Sequence, residues 1–292
     1  MAFRVHLGIG LTGKPWREPC ENFKWKKEIA EKLKTDIKGI NITEDSKLKR
    51  FKALTIGLYG HGKSSLINTF ASVCEDEKTT VCNAASRETN VTTKYRNYML
   101  SGLLEQLVLG DISGLPVTKK IDPFVEDIKR ILQGHVKHGY TFNPEISISS
   151  EDESYESSPN LWDKIHCALI VIDSTVAYEL PATFVCGVKT IMETIDSKNI
   201  PVMAVLTKTD KLSEHVKHDV DTIFRCRKIL QAVEATSKQL QIPVTKIYPV
   251  VNFEEMDHFT WKESIPILIV LKSLLLMAKM HVVHTLDVKT TK

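Results

Sequence analysis

The chain has 292 residues, is 42% hydrophobic and carries a formal net charge of +3. That length holds one large domain, or one domain with an appendage, with enough apolar residue for a core. With a charge so near balance, nothing argues for a nucleic-acid footprint, and no nucleic-acid partner is expected. Six scattered cysteines with no C-x-x-C pair and no zinc spacing point to a reducing, intracellular setting.

Residues 1–21 read as irregular, with Trp16 anchoring them to the rest of the chain. The start shows no apolar run of signal-peptide length and no myristoylation signal, and the end is no prenylation box. Asn22 to Ile37 has the spacing of a basic amphipathic helix with Trp25, Ile29, Leu33 and Ile37 on one side. The β-prone run Phe51–Ile56 then leads into Gly57-Leu58-Tyr59-Gly60-His61-Gly62-Lys63-Ser64, followed by the helical run Ser65–Phe70. Next come a polar segment, Cys74–Thr89, and two strands, Thr93–Leu100 and Leu103–Leu109, joined as a hairpin at Ser101-Gly102. Asp122-Pro123 is expected to open a helix to Leu132, with Asp122 as its cap. The acidic, Ser-rich stretch Ser147–Ser158 lies in a long loop and is expected to be disordered.

Ile165–Ile172 is a nearly continuous apolar run, as suits a central parallel strand, and Cys167 and Cys186 are expected in the core. A helix from Leu180 to Ser197, a strand Pro201–Leu206, a long helix Asp219–Leu240, a strand Val244–Val251 and a helix from about Ser264 to His281 complete the order. The apolar tract Ile265–Ala278 is shorter than a bilayer span and is interrupted by Lys272, so it reads as a buried helix and membrane contact is not expected. The alternation predicts an α/β fold, a three-layer domain over 51–292 with a mostly parallel sheet and an N-terminal helical extension over 1–50. The G-x-x-x-x-G-K-S form of Gly57–Ser64 and the T-K-x-D form of Thr207–Asp210, at its strand ends, make it a P-loop GTPase domain.

Gly57 to Ser64 has the form G-x-x-x-x-G-K-S in the strand–loop–helix context that phosphate binding needs. Glycines at 57, 60 and 62 let backbone amides face phosphates, with His61 and Ser65 in the same loop and helix start. Lys63 supplies a charge for the β- and γ-phosphates, and Ser64 a hydroxyl for Mg²⁺. Asp111-Ile112-Ser113-Gly114 matches D-x-x-G, with Asp111 on Mg²⁺ through water and the Gly114 amide at the γ-phosphate. A threonine from the segment before the second strand should close the Mg²⁺ shell. Thr89, Thr92 and Thr93 are candidates and Thr92 is favoured, supporting the transition state together with Lys63. Thr207-Lys208-Thr209-Asp210 has the [N/T]-K-x-D form. There the Asp210 carboxylate accepts from guanine N1–H and the 2-amino group, a donor pair adenine lacks. Asn252, after the last strand, is placed near the base. The expected ligands are therefore GTP or GDP with Mg²⁺.

Leu115 stands where many small GTPases place a water-orienting Gln, so hydrolysis is expected to be slow or to use another donor. The run Gly57-Leu58-Tyr59-x-x-Gly62-Lys63-Ser64 is similar to the loop of interferon-inducible guanylate-binding proteins, but Gly60 occupies the position of their built-in arginine finger. Self-association through the nucleotide face would supply a missing group. The alternative is a nucleotide-bound scaffold that never turns over and acts through protein partners; an ATP-driven motor or kinase is a third reading. The pairs His135/His138 and His215/His218 have H-x-x-H spacing but no further ligand nearby, so a metal site there is not expected.

Several stretches that general GTPase chemistry does not require are also present: Pro15-Trp16-Arg17, Lys94-Tyr95-Arg96, Tyr140-x-Phe142-Asn143-Pro144, Ser158-Pro159-x-Leu161 and Ile165-His166-Cys167. Together with Gly62-Lys63-Ser64-Ser65 they resemble the interferon-induced protein 44 family, over about residues 14 to 280. The resemblance implies a cytoplasmic, interferon-responsive GTP-binding protein of innate antiviral or antiproliferative responses, with an immune or viral protein partner. Longer relatives carry an N-terminal TLDc-like domain for which this chain has no room. Members of the family often lack a clean guanine motif, and Asp210 departs from that pattern.

Overall fold

Successive residues of a strand face opposite sides of the sheet, so a central strand that is apolar throughout feeds two cores at once. In the computed structural model, which describes residues 10–19, 23–42, 48–82, 93–117, 121–254 and 256–290, six strands form one sheet in the order β2-β3-β1-β4-β5-β6. They are β1 (Phe51–Ile56), β2 (Arg96–Met99), β3 (Leu107–Asp111), β4 (Cys167–Asp173), β5 (Val202–Thr207) and β6 (Ile247–Pro249). All neighbours are parallel except β2, which runs antiparallel to β3 with Arg96 opposite Asp111. Phe51, Ala53, Leu169, Val171, Met203 and Val205 pack on one face. Leu54, Ile56, Ile170, Ile172, Ala204 and Leu206 pack on the other. Strands buried on both faces in this way show a continuous apolar run, not an alternation with polar residues.

The helices are α1 (Lys27–Lys38), α2 (Lys63–Glu75), α3 (Asp122–Leu132), α4 (Ala182–Ser197), two short turns α5 (Thr209–Leu212) and α6 (Glu214–His218), α7 (Arg227–Leu240) and α8 (Trp261–Thr290). Residues of α1, α2 and α8 fill the first face, and those of α3, α4 and α7 the second. This is the expected three-layer P-loop architecture. The strand order reverses at β1, between β3 and β4, which sets the loop after β1 at the switch point where ligands of open α/β sheets bind.

The N-terminal segment docks where sequence placed a single long helix. Leu11 bridges to Cys226, and Thr12 N and Trp16 N donate to Arg225 O and Phe224 O. Asp219 to Cys226 is therefore a short 3-10 turn and an extended joint, and the helix begins only at Arg227. Trp16, Phe23 and Trp25 gather around Phe224, so Trp25 is an anchor ahead of α1 and outside it. Lys272 of α8, which interrupts the apolar tract, pairs with Asp36 of α1 at 2.6 Å.

Other expectations shift with tertiary context. A 3-10 turn, Gly102–Leu104, replaces the tight turn between β2 and β3. Ile121, not Asp122, holds the cap position of α3, and its side chain makes no capping hydrogen bond. Val244–Lys246 is a 3-10 turn, so β6 is only three residues long. Cys167 is buried, but Cys186 lies on the exposed side of α4. The Ser-rich stretch 147–158 is ordered: Ile148 is buried and its amide donates to Asp127 Oδ1 at 2.8 Å. Val136 bridges to Tyr155, whose ring stacks on His135. Composition missed these ties because the partners, Asp127, His135 and Val136, lie outside the stretch itself. Helix α8 is 30 residues long and runs past both ends of the expected Ser264–His281; Trp261–Asp287 is long and apolar enough to cross a membrane by length and composition, and 61% of the 18-residue window that meets this test is buried in the protein.

Candidate nucleotide site

The phosphate loop turns where its glycines allow. Gly62 sits at φ 84°, a left-handed position, and starts α2 with no side-chain cap and no acidic residue in the first turn. A Cβ there would lie 2.9 Å from Asn252 Nδ2 and 3.3 Å from Thr207 Oγ1. The first amides of α2 are thus left for an anion, with the positive end of the helix dipole behind them.

Lys63 is 7% exposed, and its ammonium donates to Gly57 O at 3.2 Å and Leu58 O at 3.1 Å. Burial lowers its pKa to about 8, against the pull of the Asp111 carboxylate. Ser64 Oγ donates to Asp111 Oδ2 at 2.8 Å, so the loop and the end of β3 present two hard oxygen donors side by side. Burial raises the Asp111 pKa, opposed by Lys63, Ser64 and Thr55. Gly114 lies against the phosphate loop: a Cβ added to it would be 2.4 Å from the Tyr59 amide nitrogen. Leu115 N donates to Gly57 O at 3.0 Å, and its side chain is fully buried.

Two further strand ends reach the same loop. Thr207 Oγ1 at the end of β5 donates to His61 O at 2.8 Å, and Asn252 Nδ2 after β6 donates to Gly62 O at 3.2 Å, so the Asn252 amide supports the loop. Lys208, at φ 55°, donates to Gly60 O at 2.7 Å and pairs with Asp173 Oδ2 at 2.6 Å. Asp210 follows it at the start of α5, half-buried beside the same strand end.

The structure therefore brings Gly57, Gly60, His61, Gly62, Lys63, Ser64, Asp111, Gly114, Thr207, Lys208, Asp210 and Asn252 to the carboxyl edge of the sheet. Thr89 and Thr92 lie outside the described residues, and Thr93 is exposed. Ser65 Oγ donates instead to Glu254 Oε2 at 2.6 Å, behind the loop. His61 is turned inward, edge-on to Phe184, and burial pulls its pKa down to about 4, so it is a neutral wall residue.

Sequence reading missed Asp173. Burial works to raise its pKa, but hydrogen bonds from Lys208 and Thr175 together hold it below the ordinary carboxylate range. It is the last residue of a strand otherwise wholly apolar, and that contrast was the available signal. Thr209 was also missed: its hydroxyl donates to Val250 O at 2.9 Å and ties α5 to the end of β6. Among the described residues, no group of three or more His, Cys, Asp or Glu is placed to hold a metal.

No protein-family model matches the chain. Among solved structures, Toc33 from Arabidopsis thaliana, crystallised with GDP and Mg²⁺, is 15% identical with a TM-score of 0.46 over 86% of this chain and 89% of its own. Among curated proteins, interferon-induced protein 44 from Pan troglodytes and from Homo sapiens are each 28% identical over 212 residues, 71% of this chain. Human interferon-induced protein 44-like is 28% identical over 231 residues, 78% of this chain. The chain spans about half the length of these curated relatives. Its curated homologues are thus interferon-induced protein 44 proteins, the group its motifs resemble, at 28% identity over most of the chain.

Proposed function

We propose that the protein binds GTP or GDP with Mg²⁺ and acts as an interferon-induced effector with slow intrinsic hydrolysis. The observation that carries this reading is the meeting of Lys63, Ser64 and Asp111 at an uncapped helix start, with a T-K-x-D strand end tied to the same loop by Thr207 and Lys208. Lys63 and the loop amides hold phosphate, and the half-buried Asp210 reads guanine. Ser64 would hold Mg²⁺ directly, Asp111 through water, and Thr92 would close the shell. When bound, the ion neutralises charge across the β- and γ-phosphates. Gly114, already against the loop, would follow the presence of the γ-phosphate.

The lowered pKa of Lys63 makes a solution prediction. Phosphate favours the charged ammonium, so binding raises a pKa that starts at about 8. GTP binding should take up about 0.1 proton at pH 7 and about 0.8 at pH 8.5. Calorimetry in buffers of different ionisation enthalpy reads this directly; constant uptake across that range would remove Lys63 from phosphate contact.

Leu115 is packed inside the protein, so restoring the usual glutamine there does not rebuild a water-orienting group. Leu115→Gln should cost about 1–3 kcal/mol by burying an unpaired amide. It should lower the melting temperature without speeding GTP turnover. A faster enzyme would show that the segment opens to water. The same burial favours a second reading, a nucleotide-bound scaffold that acts through protein partners. Single-turnover hydrolysis across protein concentration separates the two. A rate that rises with concentration supports self-association that completes the site; no turnover at any concentration supports the scaffold.

A further inference from the structure

At the opposite end of the sheet from the phosphate loop is a second opening. A cavity of ≈ 730 Å³ is lined by Met99, Val108 and Trp162 with Lys49, Arg50 and Lys52. Asn97, His138 and Asp163 complete it. Among the described residues, those that line this corner lie on strands and loops and none on a helix. Lys52 of β1 pairs with Val108 of β3, which pairs with Met99 of the edge strand β2. The loop that carries His138 and Trp162 walls the gap. Trp162 and Met99 are 50% and 66% exposed, a placement that costs apolar surface unless something covers it.

The polar groups here are poorly matched among themselves. Three cations line the cavity beside one carboxylate, Asp163, whose Oδ2 already accepts from Asn160 N at 2.8 Å. Arg50 Nε donates to Glu105 O, but among the described residues the Lys52 ammonium has a single long hydrogen bond, 3.3 Å to Asp163 O, and it lies 5.5 Å above the Tyr95 ring. Burial lowers the Lys52 pKa to about 8, as expected of an ammonium without a close counter-ion. Among the described residues, the buried Tyr95 hydroxyl and Asn97 Oδ1 find no hydrogen-bond partner. His138 Nδ1 accepts from Asn97 N, so the neutral ring keeps its proton on Nε2 and remains a donor. The corner therefore combines an apolar floor of ligand size with excess positive charge.

We propose that this cavity is a binding site for a single-chain carboxylate amphiphile, its head against Lys52 and its chain over Val108, Met99 and Trp162. A small molecule fits better than a peptide, since the volume lies within the range of ligand pockets and is walled by the sheet and the loop. The site is separate from the nucleotide edge, so it stands or falls independently of the functional reading above.

The test is calorimetric titration of dodecanoate, below its micelle concentration, into the full chain. The expected result is one saturable site, at least tenfold weaker for dodecanol and for both Lys52→Met and Trp162→Ala. Trp162 is half exposed, so its variant remains informative should Lys52→Met fail to fold. Nucleotide affinity should be unchanged in both variants. The proposal is overturned by the absence of saturable binding up to about 1 mM, by equal affinity for dodecanol, or by indifference to Trp162→Ala. It is equally overturned if an acidic peptide binds this corner and dodecanoate does not.

Discussion

Lys63→Ala should weaken GTP binding by 100-fold or more. In the free protein the Lys63 ammonium rests on the carbonyls of Gly57 and Leu58, poised over the loop, and burial has already removed most of its water. A charged hydrogen bond is worth about 1.5–3 kcal/mol, and each 1.4 kcal/mol is tenfold in affinity, so the loss of contacts to two phosphates reaches about two decades. Folding is affected in a separate and readable way. Asp111 loses its nearest cation and retains the hydroxyls of Ser64 and Thr55, so its pKa should rise further. The variant's stability should then depend on pH: the protonated, neutral carboxyl is favoured in the folded state, and stability falls as pH rises above the unfolded value near 4. Fluorescent-nucleotide titration gives the first effect and thermal melts across pH the second. Undiminished nucleotide affinity would place the phosphates elsewhere.

The second large effect belongs to Asp210. Asp210→Ala should cost GTP about 3 kcal/mol or more, roughly 100-fold, and leave ATP affinity nearly unchanged. The asymmetry follows from chemistry: guanine offers two donors to one carboxylate, whereas adenine presents an acceptor that the charge repels. Preference for guanine should therefore collapse while the phosphate half of the site stays intact. The neighbouring Lys208–Asp173 pair supplies a useful contrast. Its 2.6 Å contact spans the loop carbonyl of Gly60 and the end of β4, so it positions the strand end and does not read a base edge. Competition of GTP against ATP for the variant measures the change in ratio; equal losses for both nucleotides would assign Asp210 to loop support.

The phosphate loop, D-x-x-G and T-K-x-D were legible because each is a local spacing with a fixed chemical task. The parallel core was legible because Cys167–Asp173 and Val202–Thr207 must satisfy two faces at once. What escaped detection depends on partners distant in sequence. Asp173 acquires its role from Lys208, 35 residues on. The joint at Phe224 exists because Trp16 and Thr12 come back to it. The order of 147–158 depends on Asp127 and His135.

Three of the stretches that carried the family resemblance are explained by the same kind of distant contact. Arg17 lies across Tyr248 and donates to Ile247 O, clamping β6. His166 accepts from Lys52 N at 2.8 Å, locking β4 beside β1. Tyr140 donates to the buried Asp127, and Phe142 stacks on Phe124. These residues brace the fold away from the phosphate edge, which is why nucleotide chemistry alone does not call for them.

The most direct test is a paired titration of the purified protein with GTP and with ATP, each with Mg²⁺, by calorimetry. The account predicts one site that takes GTP at least 100-fold more tightly than ATP, the discrimination expected when a carboxylate reads the base. No heat with GTP, or equal affinity for the two nucleotides, would contradict it.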